Sequence, residues 1–441
     1  MESSKNDNLM EKIVSLCKRR GFVFQGSEIY GGLAGTWDYG PYGAELSNNL
    51  KNLWWKMFVS DREDMYGVDA AIIMNPKVWE ASGHVSGFSD PLVICEKCGH
   101  RFREDQLEDK NKCPDCGGKL SSPKQFNMMF KTNIGASEDE SSVTYLRPET
   151  AGGMFVNYKN IQDSIHPKIP FGMAQIGKAF RNEIAPRDFV FRSREFRQME
   201  VEYFVKPTEW ESAFGEWRKT MLNWCNEIGL DMNHVHELEV SESDLAHYSK
   251  RTIDFEFDYP FGRKELYGLA YRTDFDLKSH SAGSNVDLSY FDEENKERYT
   301  PHVIEPSLGL DRTILAVLCD AYREEENGED TRVYLSFKPK IAPVKIAVFP
   351  LLKNKPELVD KAREVFKQLK KEFGAVMFDD NGNIGKRYRR QDEIGTPWCV
   401  TVDFETIEKD AGVTVRDRDT GEQKRMSVLD LISFVKAELN S

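Results

Sequence analysis

Residues 180–200 read FRNEIAPRDFVFRSREFRQME and concentrate the charged chemistry of the chain. Arg181 and Glu183 stand ahead of a turn-like segment, Ile184-Ala185-Pro186-Arg187-Asp188. Aromatic and charged residues then alternate through FVFRSREFRQMEVEYF, the period of a strand whose two faces meet different surroundings. Two antiparallel strands joined by a loop would aim Arg181, Arg192 and Arg194 at one site. Guanidinium stays charged and offers a fork of donors, so arginines fixed on a sheet suit phosphate. Phe196 supplies a flat face for a base. Charge alone is explained equally well by a solvated hairpin.

A second constellation is Cys95-Glu-Lys-Cys98-Gly and Cys113-Pro-Asp-Cys116-Gly, separated by 14 residues. Each pair forms a knuckle with both sulfurs toward one ion, and two knuckles make the tetrahedral thiolate set that suits structural Zn2+. Four sulfurs leave no open position, so the reading is a folding staple without a catalytic role, in a small exposed insertion over residues 92–124. Cys17, Cys225, Cys319 and Cys399 are isolated and read as buried or idle thiols.

At 441 residues, two or three domains are expected. A net charge of −13 argues against a nonspecific nucleic-acid binder. Residues 341–441 hold 18 Lys and Arg against 17 Asp and Glu, so the acidity lies in the rest of the chain. No apolar run approaches the roughly 20 residues of a spanning helix. The start, MESSKNDNLMEK, has no signal or transit character, so a cytoplasmic protein without membrane contact is expected.

The elements that must hold these residues can be read in order. Residues 9–21 predict an amphipathic helix closed by glycine, and 44–59 a helix with Leu46, Leu50, Leu53, Trp54 and Met57 on one face. That face suits either the protein's own core or a subunit interface. Residues 209–227 predict a helix with Trp210, Trp217 and Trp224 as a core seam, and 255–273 further strands. His280 reads as solvent-exposed, and 324–330 (EEENGED) as a solvated acidic loop. From residue 341, strands alternate with helices, which predicts a small α/β domain with a largely parallel sheet. Its Gly/Arg loop, 382–397, carries Lys386, Arg387, Arg389 and Arg390.

The order FRNE…R-x-R-E-F…E resembles motif 2 of the class II aminoacyl-tRNA synthetases, closely that of the glycyl-tRNA synthetases. Four further stretches carry the same resemblance. SEIYGGLAGTWDYGPYGAELSNNLKNLWW is similar to the family's first signature, where a proline (Pro41) and the following helix build the dimer interface. LRPETA resembles the glycine-pocket segment RPETAQG, with Gly152 where glutamine is usual. GLAYRTDFDLKSH resembles GxAxRTDxDLxxH, covering Arg272, Thr273, Asp274, Asp276 and His280. PHVIEPSLGLDRTILAVL resembles motif 3, with Arg312 near the start of a helix. Residues 341–441 resemble the anticodon-binding domain shared with histidyl, prolyl and threonyl synthetases.

The resemblance implies an α+β fold. A class II antiparallel sheet core with flanking helices and a zinc-ribbon-like insertion would occupy 1–340, and an α/β anticodon-binding domain 341–441. It implies ATP-dependent ligation of glycine to tRNA(Gly) through glycyl-adenylate, releasing AMP and diphosphate, in a homodimer. By the same resemblance Arg181 meets the α-phosphate. Arg312 meets the far phosphate end and flanks the adenine opposite Phe196. Arg192 folds the triphosphate, Glu183 sits near the adenine, and Asn182 and Phe191 complete the ATP set. Glu149 and Glu200 hold the amino group of glycine, Glu305 and Ser307 approach its α-carbon, and Arg272 lies beside them. Mg2+ would lie between phosphates and a carboxylate, with Glu305 the candidate. Two other readings remain: a class II enzyme for another amino acid, against which RPETA and EIYGGLAGTWDYGPYG speak, and a noncatalytic accessory protein. Proteins of the second kind usually lose motif arginines, whereas Arg181, Arg192 and Arg312 are present.

Overall fold

The alternation in EFRQMEVEYFV forms the strand Glu195–Val205, inside a seven-stranded sheet. Met199, Val201, Tyr203 and Val205 enter the main hydrophobic core, and the period of two turns Gln198, Glu200 and Glu202 to the opposite face. The computed structural model describes residues 2–136, 142–327, 330–409 and 411–440, the side chains of 2–7 and 327 excepted. The strand pairs antiparallel with Phe171–Phe180 on one side and His302–Gly309 on the other. Beyond the latter lie Gly262–Thr273, Arg251–Tyr259 and Val235–Glu239, all antiparallel. Met65–Gly67 closes the other edge and runs parallel to its neighbour.

One face of the sheet is covered by helices Trp210–Glu227 and Leu310–Ala321, with Pro41–Trp55 packed into the same core. Trp217 and Trp224 are buried as the seam requires, while Trp210 stacks on Tyr271 with ring centres 4.0 Å apart. Leu46, Leu50 and Trp54 are fully buried within this chain, so that stripe packs on its own core. On the opposite face Phe171, Met173, Phe204 and Val303 pack against helix Ala151–Ile165, and the site forms beside them where Gln198, Glu200 and Glu202 make that face polar.

Residues 341–441 build a second sheet. Val376–Phe378, Ile346–Pro350 and Trp398–Val402 are parallel, but Val413–Asp417 and Gln423–Met426 add antiparallel strands. The sheet is therefore mixed rather than largely parallel, because the sequence RDRDTGEQKR hides a hairpin in charged residues. The expected Gly/Arg loop is the helix Ile384–Ile394. Its flanking polar and glycine residues are caps: the Asn383 side chain accepts from the Lys386 backbone N–H at 2.9 Å, and Gly395 ends the helix at φ 77°. Arg387 is buried and donates to the carbonyls of Pro350, Asp380 and Gly382, so it is no surface ligand.

The expected acidic loop is also a correction. Tyr322–Asn327 and Asp330–Leu335 pair as a hairpin, whose tip at 328–329 lies outside the described residues. Glu325 meets Arg332 at 2.9 Å and the Tyr334 hydroxyl at 2.9 Å, so the returning strand balances the acids. Among the described residues, no helix is long and apolar enough to cross a membrane.

Candidate active site

The polar face of the main sheet lines a cavity of about 460 Å³. Neighbouring strands set its floor. Glu200 on the 195–205 strand lies opposite Ser307 on the 302–309 strand, because the register pairs those two positions. The Ser307 hydroxyl donates to Glu200 at 2.7 Å, and the Thr150 hydroxyl and Gln198 amide donate to the same carboxylate. Glu305 comes from the same strand as Ser307, two residues earlier, and accepts from Arg272 at 2.6 Å. Asp276 takes the other side of that guanidinium through two bonds of 2.8 Å. Glu149 enters from the loop before helix Ala151–Ile165 and faces His84 at 3.3 Å.

These carboxyls do not share one electrostatic state. Burial opposes ionisation of Glu149, but His84, Arg272 and Arg181 together hold it down to about 2. Burial pushes Glu200 up, and Glu149 adds repulsion, against which Ser307 and Thr150 donate. Burial takes Glu305 up to about 8, with Arg272 pulling down and Glu200, Glu149 and Asp276 pushing up. Glu202 is fully buried, both of its oxygens lack a hydrogen-bond donor, and its carboxyl is raised well above the ordinary range, first by burial. Oxygens of Glu200, Glu202 and Glu305 lie within 4.8 Å of one another. Burial thus holds both Glu202 and Glu305 above the ordinary carboxylate range, so protons are retained at the floor, and at Glu305 Arg272 opposes that rise.

The other end of the cavity is basic. Arg181, Arg192 and Arg312 line it, together with Arg103 from the cysteine insertion. Arg181 lies over the rings of Phe196 (5.2 Å) and Phe88 (5.3 Å), and its Nε donates to the Pro148 carbonyl at 3.1 Å. Arg312 lies 4.5 Å over Phe191 and contacts Glu265 at 3.2 Å, and Arg312 is the main cause that lowers the Glu265 carboxyl. Arg192 Nη1 is buried without a hydrogen bond, 3.9 Å from Glu183. Converging guanidiniums of this kind favour a polyanion, and the carboxylates at the floor favour an ammonium group.

Glu149, Arg181, Glu183, Phe191, Arg192, Phe196, Glu200, Glu305, Ser307 and Arg312 all line the cavity. Asn182 does not: its backbone N–H donates to the Met128 carbonyl, and its side chain is outside the lining. Arg272 lies behind the wall, 2% exposed, holding Glu305 from beneath. Arg194 turns away, donating to the carbonyls of Glu183 and Ala34, so it anchors the loop instead of joining the basic end. His280 is buried, not exposed, with its ring centre 6.2 Å from Phe155. Three participants were missed. Arg103 was read as part of an exposed knob, Tyr248 sat in an unremarkable polar loop, and His84 followed a glycine between short helices. Tyr248 lies 3.8 Å beneath the Arg272 guanidinium and lines the cavity.

Gly152 has a packing explanation. A Cβ there would meet the Trp79 ring at 3.0 and 3.1 Å, with Val78 beside it. Trp79 is fully buried, so the room a side chain would take is already filled. Gly152→Ala is expected to destabilise the protein by about 1–3 kcal/mol through overpacking. Thermal unfolding measures this, and an unchanged midpoint would show that Trp79 can yield.

The four knuckle cysteines converge. Cys95 and Cys116 sulfurs are 3.5 Å apart, Cys98 and Cys113 sulfurs 3.7 Å, and all four lie within 4.8 Å of one another. Sulfurs about 2.3 Å from a tetrahedral ion would be roughly 3.8 Å apart, so the set fits zinc. The insertion is not remote from the chemistry. Its sheet of Ser89–Ile94, Arg101–Arg103 and Lys124–Asn127 starts beside Phe88 and delivers Arg103 to the basic end.

Comparison with known proteins agrees with this architecture. Residues 130–321 match the model of the tRNA synthetase class II core domain (G, H, P, S and T), and 345–438 match that of the anticodon binding domain. The chain is 51% identical to a glycine–tRNA ligase of Bacillus cereus, over 98% of this chain and 99% of that protein. A glycine–tRNA ligase of Treponema denticola is also 51% identical, over 98% and 97% respectively. One of Clostridium acetobutylicum is 49% identical, over 99% and 100%.

Proposed function

The chain belongs to the glycine–tRNA ligase family of class II synthetases, and from that membership we infer that its cavity is where glycine meets ATP. The reaction is ATP-dependent ligation of glycine to tRNA(Gly). The carboxylate of glycine attacks the α-phosphate, diphosphate leaves, and glycyl-adenylate forms. The terminal ribose 3′-hydroxyl of the tRNA then attacks the adenylate carbonyl, and AMP leaves. Since the attacking carboxylate is already ionised, catalysis consists of positioning and charge neutralisation.

One observation supports the assignment of residues above others: buried carboxylates and converging arginines share a single cavity. We assign Glu149 and Glu200 to the ammonium group, with Glu305 and Ser307 beside the α-carbon. Arg181 takes the α-phosphate, and Phe196 and Arg312 flank the adenine. Arg192 folds the triphosphate, with Glu183 and Phe191 completing the ATP site. Glycine offers no side chain to grip, so selectivity is steric, and the strands that carry Gly268, Ala270 and Ser307 bring the wall close. Mg2+ accompanying ATP would neutralise phosphate charge. Glu305 fits it poorly, being buried and committed to Arg272, whereas magnesium keeps several waters. Glu265, half-exposed and beside Arg312, suits that ion better.

The cysteine set would hold structural Zn2+. In the C-terminal unit, Lys386 and Arg389 are exposed on the 384–394 helix and would face tRNA. A cytoplasmic homodimer completes the reading. Its interface would lie outside the buried Leu46–Leu50–Trp54 stripe, for which the exposed Ile29 and Tyr30 are available.

Amino-acid-dependent ATP–pyrophosphate exchange tests the reading directly. Glycine should support exchange, and alanine, serine, threonine and proline should not. Comparable exchange with alanine or serine would refute the steric account, and silence with all five from folded protein would refute the activity.

A further inference from the structure

The Glu149 carboxylate has the cavity on one side and an imidazole on the other. His84 Nε2 lies 3.3 Å from Glu149 Oε2, and His84 Nδ1 lies 2.8 Å from the Ser82 hydroxyl. The ring is 9% exposed and confined between Trp79 and Phe88, with centres 5.4 and 5.3 Å away. The backbone is fixed as well, since the Asn127 amide donates to the carbonyls of His84 at 3.2 Å and Val85 at 2.9 Å. Gly83, at φ 82°, supplies the left-handed turn that puts Ser82 and His84 side chains together.

We propose that His84, set by Ser82, is a positioning residue that fixes the Glu149 carboxylate for the amino group of glycine, resting on the reading of this cavity as the glycine site. The Ser82 hydroxyl lies nearer to Nδ1, at 2.8 Å, than to the Trp79 carbonyl, at 3.4 Å; as donor to Nδ1 it leaves the ring proton on Nε2, 3.3 Å from Oε2 of Glu149. Oε1 then remains for the substrate ammonium. The clamp is needed because Arg181 and Arg272 both attract Glu149. A carboxylate free to rotate would turn toward a guanidinium and be lost to the ammonium. The imidazole, confined between Trp79 and Phe88, holds one carboxylate oxygen from a fixed direction, which a flexible lysine in its place would not.

Steady-state ATP–pyrophosphate exchange on the full-length protein tests this. His84→Ala should raise the KM for glycine about 10- to 100-fold, the loss of one hydrogen bond to a charged group, with the KM for ATP unchanged. His84→Gln, whose amide can donate to the same oxygen, should restore most of the affinity. Ser82→Ala keeps the ring and loses only what sets its tautomer, so it should raise the glycine KM several-fold. In a Glu149→Gln background, His84→Ala should add little, because the two residues act through one group. A purely structural histidine would raise both KM values together and would not be rescued by glutamine. Either that pattern, or a glycine KM unchanged in His84→Ala or Ser82→Ala, overturns the clamp while wild-type exchange upholds the cavity. No glycine-dependent exchange in the wild type would overturn the cavity reading and the clamp with it.

Discussion

Arg181→Ala should lower the rate of glycine-dependent ATP–pyrophosphate exchange about 100- to 1,000-fold and leave the protein folded. Of the guanidinium's five donors, Nε alone is committed, to the Pro148 carbonyl, so the fork is free to face the cavity. Phe196 and Phe88 lie against the guanidinium and hold its plane. A preorganised donor aimed at developing charge contributes roughly 2.7–4 kcal/mol in a sheltered site, which sets the expected loss. The loss should appear in kcat more than in the KM for ATP, since the charge on the α-phosphate shifts only as the bond forms. Arg181→Lys should recover part of it, keeping the charge but not the fork. The core contains no part of Arg181, so the thermal midpoint should stay near wild type. A loss under tenfold would remove Arg181 from the α-phosphate.

The same stretch shows what a sequence can and cannot disclose. Residues 195–205 were legible as a strand because one face of period two is apolar and the other polar. Arg181 and Arg194 look equivalent on paper, yet one reaches the cavity and the other ties down a loop through backbone carbonyls. Nothing local separates them. The Ala34 carbonyl, 160 positions from Arg194, decides it. Glu149, Glu200 and Glu305 were collected by family resemblance, since no periodicity spans those separations. His84 escaped notice because its signal is a glycine between two polar residues, which reads as an ordinary turn. The 384–394 helix reads as a Gly/Arg loop, yet Gly385 sits within its first turn and Gly395 caps its end. His280 was misplaced for the opposite reason: a polar residue in a polar sequence looks exposed until helices close over it.

Arg272→Met should be the most damaging single change for the fold around the site. The guanidinium is 2% exposed, paired with Glu305 and Asp276, and placed over the rings of Tyr248 (3.8 Å) and Phe155 (5.3 Å). Methionine replaces much of the apolar contact, so the main loss is the cation. Removing one partner of a buried pair costs about 3–5 kcal/mol, because the other charge is left unpaired. The cost should depend on pH in a definite direction. Glu305, already pushed up to about 8 with Arg272 present, is a carboxyl whose folded value exceeds its unfolded one of roughly 4.3. Such a group contributes stability that is complete below the unfolded value and is lost as pH rises through the folded value. Without Arg272, which pulls it down, the folded value of Glu305 rises further, and the loss extends to higher pH. Glu149, held down to about 2, works in the opposite sense but only at pH below about 4, outside the range tested. Urea unfolding midpoints of wild type and variant at pH 5 and pH 8 should therefore differ least at pH 5 and most at pH 8. A deficit equal at both pH values would mean that Arg272 stabilises through its stacking on Tyr248 and Phe155. The carboxylates at the floor would then be tolerated without it, and the case for a cationic substrate group there would weaken accordingly.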